Sequence, residues 1–212
     1  MKGKVYKTDA DKNSALSTFE KIESLHPYQT ITYLSIFGSS IIFIFLLVVL
    51  FVSSEHSAKP INLPVTFYIS TGFLVFSHYF IARLPGFFEK ENDLNLKRYL
   101  GFGILFTTLF GVSQLFAWMN LFNDEVYFDG QAVETLLYLL SGLHLIHIIA
   151  GLVFMIALFI NSLTSLSDPV EKLIYFTNPF QKMKLSLLHA FWVFMDVSWF
   201  IILGTFIVMF LV

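Results

Sequence analysis

Five long apolar stretches set the pattern of the chain: 31–53, 64–82, 99–121, 136–160 and 185–212. Each is long enough for a helix, at 1.5 Å per residue, to cross a hydrocarbon layer of roughly 30 Å. Backbone N–H and C=O groups in lipid need partners within their own segment. Alternating ten-residue strands are absent, so the stretches are expected to be helices. Helical spacing turns their scattered polar residues into stripes. On the fourth stretch Ser141, His144, His147 and Gly151 share about a third of the circumference; on the fifth, His189, Trp192, Asp196 and Trp199 share a face. The third carries Thr107, Gly111, Gln114 and Trp118, the second Ser70, Thr71, Ser77 and His78, and the first Ser35, Gly38 and Ser39. Small and hydrogen-bonding residues are what helix interfaces in lipid use, because lipid itself competes for apolar contacts. The expected fold class is all-α: a polytopic, five-transmembrane-helix bundle over 31–212, preceded by a polar arm over 1–30.

Composition agrees: 56% of the 212 residues are hydrophobic, 26 are phenylalanine and only 13% are charged, with a mean hydropathy of +0.72. No cysteine is present, which excludes disulfides and thiolate metal sites. The Lys-rich start shows no cleavable signal, so the first span is expected to act as its own insertion signal. Charge placement adds orientation. Lys2, Lys4, Lys7, Lys12 and Lys21 precede the first span, and Arg83, Lys90, Lys97 and Arg98 fill the second connection. The fourth connection holds Lys172, Lys182 and Lys184, while the first and third connections and the C-terminus together add only Lys59. The third has Asp124, Glu125, Asp129 and Glu134 with no base. The positive-inside rule then places the N-terminus inside and the C-terminus outside. The connection over 168–184, with Pro169 and Asn178-Pro179, reads as a loop with room for a short interfacial segment.

Asp196 is the sharpest chemical signal, as the only acid within the five stretches. A carboxylate at membrane depth costs roughly 2.5–3.5 kcal/mol on insertion scales and calls for a partner within the protein. His144 and His147 are expected about 12–18 Å from the outer boundary and Asp196 about 14–18 Å from it, so either histidine is a candidate partner. The plainest role is to tie the fourth and fifth helices together. A proton relay uses the same residue types. A metal site lacks an evident third ligand. A bis-histidine haem between His78 and His189 is geometrically open.

Two motifs carry a family resemblance. Ser141-Gly142-Leu143-His144-Leu145-Ile146-His147, running on to Gly151, resembles the Thr-Gly-Phe-His-Gly-Leu-His signature of subunit III of haem-copper oxidases. Trp192-Val193-Phe194-Met195-Asp196-Val197-Ser198-Trp199 resembles that family's Trp-His-Phe-Val-Asp-Val-Val-Trp in its last helix. Gly111, Gln114 and Trp118 look like an earlier family helix, and Ser70-Thr71 falls near a family Ser-Ser. Order, spacing and topology agree over 31–212. Three positions depart: Val193 stands where the family usually has histidine, Ala117 where it has glutamate, and Ser40 where many members bury a glutamate in the first helix. In the seven-helix members two further N-terminal helices wall a lipid-holding cleft, and a complete cleft is not expected of the five-helix form that this chain resembles.

The resemblance implies a non-catalytic accessory subunit of an aerobic terminal oxidase such as cytochrome c oxidase. It would pack on catalytic subunit I among other respiratory-complex subunits and support stability and proton uptake in a bacterial inner membrane. Haem and copper would belong to the partner and none to this chain. Membrane lipids, including a structural phospholipid, are expected neighbours, and nucleic acid is not. His144, His147, Asp196, Gln114 and Trp199 would make intramembrane polar contacts, with no catalytic or metal role. A quinol-oxidase or nitric-oxide-reductase component shares these features. A proton-coupled transporter or small haem protein is the rival class, although inverted repeats and broken helices, the usual marks of a transporter, are not evident.

Overall fold

The computed structural model describes residues 26–54, 61–128 and 131–211, and among them every regular element is a helix. In chain order these are α1 (Pro27–Ser54), α2 (Val65–Ile81), α3 (Leu84–Glu89), α4 (Asp93–Asn123), α5 (Ala132–Ser165), α6 (Pro169–Thr177) and α7 (Pro179–Leu211). Five spans are long and apolar enough to cross a membrane: Pro27–Ser53, Val65–Glu89, Asp93–Asn123, Ala132–Ser165 and Pro179–Met209. The expected polar arm falls mostly on residues outside those described, and its last four residues, 27–30, already form the first turn of α1.

The second span is longer than its apolar run suggests. Pro85 has no N–H to continue the ladder, so α2 stops at Ile81 and a short turn leads into α3, where Pro85 takes a first-turn position. The span therefore runs on to Glu89. Glu91, at φ 52°, reverses the chain, and Asn92 Oδ1 caps α4 by accepting from Asn95 N–H at 3.1 Å. At the other end of α4, Glu125 at φ 60° lets Val126 N–H reach back to Leu121 O at 3.0 Å. Glu134 Oε2 accepts from the Gln131 backbone N–H at 3.3 Å and so closes the start of α5. The short segment expected in the fourth connection is α6: Asp168 accepts from Val170 and Glu171 N–H, and Asn178 Oδ1 caps the start of α7 by accepting from Phe180 N–H.

Around the bundle, α2 lies along α4, α4 along α5, and α5 along α7; α7 also meets α2, and α1 packs on α5 and α7. Trp192, Trp199, Phe67, Phe110 and Phe206 are fully buried between these helices. Glycines let them close up. A Cβ on Gly151 of α5 would stand 2.9 Å from Trp192 and 3.0 Å from Phe191, both on α7. One on Gly103 of α4 would stand 3.0 Å from Met155 and 3.2 Å from Ile81. Against this, α1 buries one stripe, Ser39, Phe43 and Leu50, and leaves Phe37 and Phe45 about two-thirds exposed.

Candidate functional site: an intramembrane polar lattice

The polar stripes meet as a set of side-chain bonds between helices. On α2, Ser70 accepts from Gln114 Nε2 of α4 at 2.8 Å, and Thr71 Oγ1 accepts from Trp199 Nε1 of α7 at 2.9 Å. Two turns along, Ser77 Oγ pairs with Thr107 Oγ1 of α4 at 2.8 Å. Trp118 Nε1 donates to Ser141 Oγ between α4 and α5 at 3.1 Å. These bonds are short, and those of Gln114 with Ser70 and Ser77 with Thr107 are buried. That is where a hydroxyl or amide gains most from a partner, because hydrocarbon provides none.

Asp196 does not meet the histidines of α5. Its Oδ2 lies 2.5 Å from Nδ1 of His78 on α2, and this corrects the expected pairing with His144 or His147. Two physical reasons account for the difference. His78 stands in the last turn of α2, but because α3 carries the span on to Glu89, that turn falls within the apolar span and not at its end. In addition, α7 turns Asp196 and Trp199 toward α2 while Trp192 packs on Gly151 of α5. The carboxylate side chain is 10% exposed and the imidazole 39%. Asp196 Oδ1 is buried without a protein partner. The ring of His189 stands 6.1 Å from that of His78, tilted by 49°.

The two histidines of α5 separate. His147 reaches α1, with Nε2 at 2.8 Å from Ser39 Oγ and Nδ1 at 2.7 Å from Leu143 O. A carbonyl only accepts, so Nδ1 carries the proton; in the neutral tautomer Nε2 then accepts from the Ser39 hydroxyl. His144 faces inward and is fully buried among Trp199 at 5.0 Å, Phe110 at 5.8 Å and Phe43 at 6.4 Å. Neither of its nitrogens has a protein partner, nor do Gln114 Oε1 and Trp192 Nε1.

Of the residues singled out from the sequence, Gln114, Trp199, Asp196 and His147 each bind another helix, while His144 packs without a bond. His78 and Ser39 were placed on stripes but not recognised as the partners. Among the described residues no group of three His, Asp or Glu converges where a metal ion could sit. The spaces along the bundle are open grooves. One of about 380 Å³ lies under α1, between Ser35, Gly151, Phe154, Lys184, Leu188 and Phe191. No protein-family model matches the chain, and no curated protein matches it either.

Proposed function

We propose that this chain is a non-catalytic, subunit III-type component of a haem-copper terminal oxidase in a bacterial inner membrane, with cytochrome c oxidase as the first candidate. One face of the bundle packs on the catalytic subunit, which holds the haem and copper, and the chain supports that subunit's durability and proton uptake. The observation that carries this reading is the use made of the motif side chains. Gln114, Asp196, Trp199 and His147 are spent on Ser70, His78, Thr71 and Ser39 of other helices. They brace the helices against one another, as a scaffold requires. The thinly covered α1 supports an assembled state, since its apolar surface faces either lipid or a neighbouring subunit. The groove under α1, with Lys184 at one end, suits a structural phospholipid where longer members build a walled cleft. The one-sided distribution of bases supports the N-inside orientation.

The test is extraction of native membranes in mild detergent, with mass spectrometry of co-purifying chains and a reduced-minus-oxidised spectrum. Recovery with a large haem-copper subunit is the expected result, and its bands distinguish a cytochrome c oxidase from a quinol oxidase or nitric-oxide reductase. A chain that purifies alone and colourless overturns the reading and favours a proton-coupled transporter. A Soret band from the chain alone, removed by His78→Ala or His189→Ala, overturns it in favour of a haem protein.

A further inference from the structure

A second groove, of about 400 Å³, lies between α4 and α5 and shares no residue with the one under α1. Its mouth is Lys97 and Arg98; its walls are Phe102 and Leu105 of α4 and Phe159 and Leu163 of α5. Gly101 forms the floor, since a Cβ there would meet nothing nearer than the Phe159 ring at 3.9 Å. Seven residues separate Arg98 from Leu105, so the apolar trough descends about 10 Å from the charged mouth.

The charges at this end of the bundle are unequally committed. Lys172 pairs with Asp93 and Lys182 with Glu89, each at 2.9 Å. Arg83 donates to Tyr79 O and lies over the Tyr79 ring. Lys97 spends one N–H on Leu166 O, the C-cap of α5, at 3.3 Å, which leaves two of its three donors. Arg98 is exposed, and among the described residues it has no hydrogen-bond or ion-pair partner. Asp93, about one turn before Lys97 on α4, is already bound by Lys172. A net positive mouth thus opens onto an apolar trough that leads into the hydrocarbon.

From this juxtaposition we infer that the α4/α5 groove is a binding site for an anionic phospholipid of the leaflet at the basic end. The phosphate sits on the Arg98 guanidinium, whose planar fork matches two phosphate oxygens, with the free Lys97 donors beside it. One acyl chain lies over Gly101 between Phe102 and Leu105 on one side and Phe159 and Leu163 on the other. A zwitterionic lipid brings its own ammonium to the two bases and is bound more weakly. The inference holds whatever complex the chain serves.

Native mass spectrometry of the purified full chain, titrated in mild detergent with phosphatidylglycerol or phosphatidylcholine, tests it. Phosphatidylglycerol should be retained in preference. Arg98→Gln should weaken its retention roughly fivefold, the effect of one surface base on anionic lipid, and Lys97→Gln/Arg98→Gln should remove the preference. Gly101→Leu should fill the trough and lower retention of both lipids while leaving the charges in place. Lys184→Gln, in the other groove, should leave the preference for phosphatidylglycerol in place. Arg98 is exposed, so its variant should fold normally; helicity and a monodisperse elution profile check this for each protein. Equal retention of the two lipids by the unaltered chain overturns the site, as does undiminished phosphatidylglycerol retention in folded Arg98→Gln. Loss of the preference in Lys184→Gln assigns it to the other groove and overturns the inference equally.

Discussion

The two oxygens of Asp196 are in different circumstances: Oδ2 is bonded to His78, whereas Oδ1 is buried with no protein partner. Removing the carboxylate alone leaves the imidazole unpaired on α2. Asp196→Leu is therefore expected to destabilise the bundle by about 1–2 kcal/mol. The double variant His78→Leu/Asp196→Leu should recover most of that loss, because both polar groups then leave the apolar interior together. A double-mutant cycle on SDS- or heat-driven unfolding measures the coupling, and strictly additive effects would show that the pair does not act as a unit. Tyr175 of α6 makes a complementary case outside the spans. It is buried beside Phe88 and Phe176, its hydroxyl has no protein partner, and burial pushes its phenol up to about 12. Tyr175→Phe should be neutral or stabilising by up to about 1 kcal/mol in thermal unfolding; a clear loss would reveal a bond made by that hydroxyl. At this scale the sequence was readable for which side chains matter and unreadable for whom they meet. A stripe specifies the angular phase of Asp196 on its own helix and gives its depth. The neighbouring helix depends on packing among five helices, and that packing sends His147 to α1 and His78 to α7.

Among the elements, the closest approach is set by one missing side chain. Gly151 lets α5 lie against Trp192 and Phe191 of α7, and a Cβ there would stand 2.9 Å from an indole ring that is itself fully buried. Gly151→Ala is expected to cost about 1–3 kcal/mol through overpacking. Gly72→Ala, on an exposed face of α2 with nothing within 4 Å, should be neutral or stabilising by about 0.5–1 kcal/mol through backbone entropy. Unfolding of the two variants side by side separates the explanations, because equal effects would mean that Gly151 acts through helix propensity alone. All five spans were legible from length and hydropathy, which are local quantities. The end of the second was not: the polar Arg83 and the ring of Pro85 look like a stop, yet α3 resumes one turn later and carries the span to Glu89. That extension puts His78 inside the span and not at its end, so a misjudged element end becomes a misjudged partner.

For the whole molecule, the bases Arg83, Lys90, Lys97, Arg98, Lys172, Lys182 and Lys184 gather at one end of the bundle, while Asp124 and Glu134 mark the other. The chain has no cysteine of its own, so single introduced thiols report orientation without background. If the basic end is cytoplasmic, Lys90→Cys should react with an impermeant maleimide only in inverted vesicles and Asp124→Cys only in intact cells. The opposite pattern would reverse the orientation. The position of α1 bears on how the chain is made. Among the described spans it comes earliest in the chain, yet the helices it packs on are α5 and α7, the two that come latest, and its Ser39–His147 bond joins residues 108 apart in sequence. The hairpin of α2 and α4 can close as soon as it emerges, but α1 must lodge provisionally in lipid until the final third of the chain has been translated. Cross-linking between Ser39→Cys and His147→Cys should accordingly become efficient only in nascent chains long enough to have released α7. Full cross-linking in chains that stop after α5 would mean that α5 alone holds the first span. Until that release, the earliest of the described spans to enter the membrane is the last to find its place.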